Sequence, residues 1–486
     1  MRLILLLPYH VLLVSTLSAV LYSGLGSFPA CAAEILVRTT NETTSALNAA
    51  RPGDTITLEN GDYDLGRVTI TRGGTAAAPV TIRPRQGQEG KVRLVGKTGF
   101  VFRRTGHVTL RGFDFATEEV PPVEITGSHH VRITENRFRI KEPEGKGTFR
   151  WVRLNSTRAE EGQPAINSHH NRIDHCLFEE KHTIGNFISV DGNSLPYPKA
   201  QISQYDRIDH NHFRNIGPRV PNGMEAIRVG LAGLSLSSGF TVIEDNLFEN
   251  CDGDPEVISI KTSDATIRNN TFRACEGGLC LRHGNRNRAS GNRFFGEGKK
   301  GSNGIRMYGD DHRIEDNYFT GLTSFALAVT NGSADYGADY TKGEKLPVGE
   351  PDQLLRLHLR PRRITLRKNT IVDCAEAILL GAPYGLPLPQ KPPQDLLFEK
   401  NTIFAGKKTE AGKDAKLVEI RTPPERITWR GNTVFAGEFA DIGLPGGVTE
   451  AQVRVVRGTG TAPAAPRPSS DVGPGWLRAR LTQSTS

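Results

Sequence analysis

Apolar and polar residues alternate in short runs along most of the chain, and the runs recur. The commonest has the form V/I-x-I-x-x-N-x-F, as in VRITENRF (131–138), TIRNNTF (266–272), RIEDNYF (313–319), ITLRKNTI (364–371) and ITWRGNTV (427–434). NRIDHCLF (171–178) fits with Cys176 in place of Asn. Alternation within a run predicts half-buried strand rather than helix. The aromatic positions Phe248, Phe272, Phe294 and Phe319 stand 24, 22 and 25 residues apart, with longer gaps at 138–178 and 319–371 where loops are inserted. Several short strands and tight turns in each repeat of that length predict an all-β, single-stranded right-handed parallel β-helix. The Leu-rich consensus and helical half of a leucine-rich repeat are absent. The recurring Asn is expected to stack as a structural ladder, each amide bonding the coils above and below.

The β-helix is expected over about 55–435. NETTSALNAA (41–50) reads as an N-terminal helical cap, with Asn41 or Thr43 as N-cap and Leu47 and Ala50 facing inward. A second strand in each repeat ends in polar residues: FISVDG (187–192), AIRVG (226–230), VISIKTS (257–263), LCLRHG (279–284), GIRMYG (304–309) and ALAVTNG (326–332). These are expected to form one sheet carrying Arg228, Lys261, Arg282 and Arg306 as a basic column. Lys261 and Arg282 are one repeat apart, which would set them one above the other at a strand spacing of ~4.8 Å. Segments 139–168 and 331–362 are loop in character and are expected to wall a groove.

The ends add three expectations. Residues 1–33 read as a secretory signal, from Met1-Arg2 through a mostly apolar 3–21 to Ala30-Cys31-Ala32, which predicts a secreted or periplasmic protein; Phe28-Pro29-Ala30 is a poor lipobox for Cys31. Residues 34–457 form the β-helix domain. The remainder, 458–486, is a Pro/Ala/Ser-rich tail that is expected to pack on the helix end through Trp476. Five cysteines follow the signal, with no metal-ligand spacing, and are expected to be small buried side chains rather than a disulfide framework. A formal net charge of +8 favours an anionic partner such as acidic polysaccharide, nucleic acid or a membrane surface.

The chemistry concentrates in DPEVISIKTSDATIRNNTFRACEGGLCLRHG (254–284). Anhydrous cleavage of a 4-O-linked uronate needs a neutralised carboxylate, a base for the C5 proton and help for the leaving O4. Asp254, Glu256 and an amide oxygen such as Asn222 are hard donors that suit Ca²⁺, a Lewis acid for the carboxylate. Lys261 can be the base if it is neutral, which adjacent positive charge and partial burial favour. Arg282 stays charged and can stabilise the developing enolate or the leaving oxygen. Strict alternation, however, puts Asp254 and Glu256 in phase with Ile258 and Ile260, opposite to Lys261. A bend near Pro255 has to break it. Taken alone, the acids read as a solvated turn and the lysine as a solubility residue.

NGMEAIRVG (222–230), DPEVISIKTS (254–263) and LCLRHG (279–284), in this order and spacing, resemble polysaccharide lyase family 6, the family of chondroitinase B and many alginate lyases. The similarity runs from the cap through at least residue 320, with weaker agreement to the C-terminal GPGW. The resemblance implies Ca²⁺ on Asn222, Asp254 and Glu256, Lys261 as base, Arg282 as acid or its helper, and Arg228 and His283 lining the substrate. The family often has Glu where this chain has Asp254. Arg306 and Tyr308, on the neighbouring GIRMYG strand, are expected to line the cleft as well. The resulting expectation is a lyase acting on acidic polysaccharide, alginate first and dermatan or chondroitin sulfate second, with neither nucleic acid nor stable membrane insertion. Two other classes are alternatives: a β-helix glycoside hydrolase, whose facing carboxylates would be Asp310 and Asp311, and a non-catalytic carbohydrate-binding protein.

Overall fold

Each repeat folds into one coil of three short strands, and corresponding strands of successive coils pair. The computed structural model describes residues 32–145, 147–159, 162–193, 195, 199–335, 355–383, 390–404, 416–435, 453–456, 460–467 and 469–478. The expected signal segment, part of the 331–362 loop and part of the tail lie outside them. The strands form sheets of 14, 12 and 14 members, and away from the two ends neighbouring strands in a sheet are three apart in the chain. Pairings between coils are parallel, as in Arg207–Asp209 against Val242–Glu244. This is a parallel β-helix.

The Asn ladder runs from Asn211 through Asn246, Asn270, Asn292, Asn317, Asn369 and Asn401 to Asn432. Each Oδ1 accepts from the backbone N–H and the amide of the Asn one coil earlier, at 2.8–3.1 Å. The residue before each ladder position is left-handed, for example His210, Asp245, Asn269 and Asp316 at φ 54–57°. That backbone costs roughly 1–2 kcal/mol in a non-glycine residue, and the bonds of the buried ladder offset it. Cys176 takes the same place, its N–H donating to Asn211 Oδ1 at 2.9 Å. Inside, Phe115, Phe138, Phe178, Phe213, Phe248, Phe272, Phe294 and Phe319 stack with centroids 4.4–5.0 Å apart. All five described cysteines are free and buried.

A second ladder position holds an acid. Asp206 Oδ1 accepts from the backbone N–H of Asn171 (2.9 Å) and from its amide (3.1 Å). Burial pushes this carboxyl up to about 6. A carboxyl raised on folding favours the native state below its unfolded pKa, and that contribution is lost as pH rises through about 6. Asp206→Asn, which keeps the acceptor and removes the charge, should therefore stabilise the protein by about 3 kcal/mol at pH 7. The gain should vanish towards pH 4. Denaturant melts of both proteins across that range check it; a pH-independent difference would refute the assignment.

Three boundary expectations are corrected. Pairing begins before the helix, because Glu34–Val37 lies on Thr55–Leu58, and it continues to Val453–Val456 on Asn432–Phe435. The helix Thr40–Ala49 is capped by Thr39, whose hydroxyl accepts from the N–H of Glu42, while Glu42 accepts from Arg38 N–H at 2.7 Å. This T-x-x-E pattern was available in the sequence. Trp476 packs on the flank instead of the helix end. Its Nε1 donates to the Glu135 carbonyl at 2.8 Å, and its ring fills the space over Gly90 that a Cβ would occupy.

Candidate active site

Strand Glu256–Lys261 lies in the 12-stranded sheet between Ile227–Val229 and Gly278–His283. Ile258 and Ile260 point into the core with no exposure, leaving Ser259 and Lys261 on the outer face. Two irregularities in the pairing with Gly278–His283 build the site. In the first, Glu256 pairs with Gly278 and Ile258 with Leu279, so Val257 is an extra residue that reverses the phase. Glu256 thereby joins the outer face, where Ser259 Oγ donates to its Oε2 at 2.5 Å. The break in alternation thus falls at Val257, two residues beyond Pro255 and directly after the acids. In the second, Ile260 pairs with Leu281 but Lys261 pairs with His283. Arg282 is the extra residue, so Lys261 and Arg282 are not register partners.

The same register dissolves the expected basic column. Arg228 lies opposite Ser259, Ser259 opposite Cys280 and Cys280 opposite Arg306. Lys261 is two residues further along its strand, and Arg282 is displaced by the bulge. The cations converge through their side chains instead. Arg306 Nη2 donates to Glu256 Oε1 at 2.6 Å, and Arg282 Nη1 donates to the same oxygen at 3.3 Å and to Asn222 Oδ1 at 3.0 Å.

Three carboxylates meet beneath these cations, all at most 2% exposed: Glu225, Asp254 and Glu256. Asp254 accepts from the backbone N–H groups of Gly223 (2.7 Å), Met224 (3.4 Å) and Glu256 (2.9 Å), which ties the 222–224 turn to the strand. Burial, with Glu225 and Glu256 close by, pushes the Asp254 carboxyl up to about 6. Burial would raise Glu256 too, but Arg306, Arg282 and Lys261 outweigh it and hold that group at about 2. Lys261 Nζ donates to Glu225 Oε1 at 3.2 Å, and the other Glu225 oxygen accepts from Asn186 Nδ2 at 2.8 Å. Sequence reasoning missed Glu225. It stands in NGMEAIRVG, but its parity matches Ile227 and Val229, so alternation reads it as inward.

The remaining site residues fall into a deeper ring. Arg228 is buried and ion-paired to Asp191. His283 and Tyr308 are buried against His358, with centroids 5.0 and 4.3 Å from it. Burial, then Arg282 and Lys261, holds His283 down to about 3; burial, then His283 and Arg282, holds His358 at about 2. Both imidazoles are therefore neutral at ordinary pH. His358 lies near the C-terminal end of the 331–362 loop segment and is a second residue that no motif signalled. Asp310 is fully buried and bonded to Arg362 and Arg363, and Asp311 bonds Arg363 at 2.7 Å. These two acids are structural partners of arginines, not an opposed catalytic pair.

The donor set fits a hard divalent cation. Asn222, Glu225, Asp254 and Glu256 supply oxygen donors only, which suits Ca²⁺. Burial first, and then the neighbouring Glu225 and Glu256, raise the Asp254 carboxyl, and a cation held there would offset both. Arg282 now bridges two of these donors, Asn222 and Glu256, as a cation would.

A family model described as Chondroitinase B matches residues 37–334. Among solved structures, the chain is similar to a mannuronic acid specific polysaccharide family 6 lyase from human gut microbiota, at 22% identity and TM-score 0.72, covering 93% of this chain and 100% of that one. It is also similar to the family 6 alginate lyase AlyGC, at 25% identity and TM-score 0.71, over 91% of this chain and 59% of that one. A family 6 polysaccharide lyase from Pseudopedobacter saltans matches at 24% identity and TM-score 0.69, over 91% and 99%. No curated protein is matched. Fold and family model together define a parallel β-helix polysaccharide lyase. The chain belongs to the chondroitinase B family, polysaccharide lyase family 6.

Proposed function

We propose that this lyase cleaves alginate by β-elimination, with Ca²⁺ as cofactor, outside the cytoplasm after removal of residues 1–33. The observation that carries the reading is the single cluster of Lys261 and Arg282 over three buried carboxylates. Alginate is favoured because AlyGC is an alginate lyase, the gut enzyme is mannuronic acid specific, and another neighbour is an alginate lyase in complex with trisaccharide. The family model's description favours dermatan or chondroitin sulfate as the second reading.

Asn222, Glu225, Asp254 and Glu256 would hold the cation. Bound there, it supplies Lewis acidity that neutralises the uronate carboxylate and lowers the cost of a C5 carbanion. Lys261 acts as the base that takes the C5 proton. Arg282, charged throughout, faces the developing negative charge and hydrogen-bonds the leaving O4. Arg306 keeps Glu256 ionised and oriented through its 2.6 Å bond. An ultraviolet absorbance assay for the unsaturated uronate, run on alginate, its two block polymers and dermatan sulfate, tests the proposal. Alginate should give the chromophore. Chromophore from dermatan sulfate alone would transfer the assignment to the second reading, and bond cleavage without chromophore would point to hydrolysis.

A further inference from the structure

Far from the carboxylates in sequence, five histidines gather at the turns where successive strands of a 14-stranded sheet begin. Ser-His-His occurs at 128–130 and again at 168–170, and His107 precedes them by one coil. Each coil turns at a left-handed residue here, and the residues at that turn stack: His107 on His130 (4.6 Å), His130 on His170 (5.2 Å), His170 on Tyr205 (4.9 Å). A parallel column sets His129 on His169 at 5.2 Å. The His129 ring lies across Gly106, where a Cβ would come within 2.3 Å of it, so the space for this imidazole depends on glycine. His129 stands edge-on to both His107 and His130, at 5.3 and 5.2 Å.

The ligand atoms of His107, His129 and His130 all lie within 4.8 Å of one another. The Nδ1 atoms of His129 and His130 are 3.0 Å apart. Two imidazole nitrogens on one tetrahedral ion at 2.0–2.1 Å stand roughly 3.4 Å apart, so modest ring rotation makes the set coordinating. Burial, with the neighbouring imidazoles, keeps His129 and His130 below the ordinary histidine range, which favours the uncharged rings that ligate metal, and an ion would replace the hydrogen bond between their Nδ1 atoms. No carboxylate belongs to the trio, which disfavours Ca²⁺ and Mg²⁺ and suits ions that take imidazole.

We propose that His107, His129 and His130 form a second metal site, for a divalent transition ion of the zinc, copper or nickel class, which clamps two adjacent coils of the N-terminal part of the β-helix. The site is separate from the carboxylate centre and opposite to it in donor chemistry. An ion bound only to the folded chain stabilises it by mass action.

The test uses tag-free mature protein in saturating Ca²⁺, titrated calorimetrically with ZnCl₂, with melting followed in parallel. One saturable zinc site and a raised melting temperature are expected. His107→Gln with His129→Gln should weaken zinc binding at least about tenfold, while Asp254→Asn should leave it unchanged. Because His129 is half-buried, His130→Gln at an exposed position serves as a second variant with the same expected direction. Copper(II) spin resonance should show imidazole nitrogen coupling that these variants diminish. Absence of saturable zinc binding, equal affinity in the histidine variants, or an oxygen-only copper spectrum would each overturn the proposal.

Discussion

Lys261→Arg is expected to lose nearly all turnover while still binding polysaccharide. The substitution keeps the charge, much of the bulk and a donor for Glu225, but a guanidinium does not give up its proton in the working range. Loss of a positioned general base costs about 10²- to 10⁴-fold in rate. Lys261→Ala should fall equally far. His283, the other base within reach, is held near 3 by burial beside Arg282 and Lys261, so it is already neutral and contributes no rise in rate between pH 6 and 9. Substantial turnover in Lys261→Arg would make Lys261 a charge contact and assign the base elsewhere. Arg282→Lys keeps charge but loses the two-sided reach to Asn222 and Glu256, and should depress kcat with less effect on binding.

Exhaustive chelation is the second large effect. It should abolish activity, and Ca²⁺ should restore it better than Mg²⁺. Flexible, carboxylate-rich oxygen sites suit the larger ion, whereas Mg²⁺ demands tight octahedral geometry and keeps its waters. Glu225→Gln should raise the Ca²⁺ concentration needed for half-activity by removing one of three buried charges, and it also unpairs Lys261. Full activity in rigorously chelated enzyme would exclude the metal role of Asn222, Glu225, Asp254 and Glu256.

Most of the fold was legible because β-helix coils are local and repetitive. The Asn at each corner and the Phe two residues later are read directly, since each performs the same stacking task in every coil. The site was legible only in part. Lys261 and Arg282 could be identified as candidates from motif resemblance, yet alternation argued against the acids sharing their face. Glu225 was hidden by its parity with Ile227 and Val229. His358 was hidden because it lies within the long 331–362 loop segment, whose return point no local pattern specifies.

The sequence by itself therefore determined the coil, its ladders, the burial of its cysteines and the residue types available for chemistry. Period and side-chain identity are local properties, and each coil repeats them. Only the tertiary structure decided which residues meet. An extra residue at Val257 turned Glu256 outward, and another at Arg282 removed it from register with Lys261 and swung it onto Asn222 and Glu256. A bulge shifts every later side chain by one face, and whether it forms depends on pairing with the neighbouring coil, which no residue specifies alone.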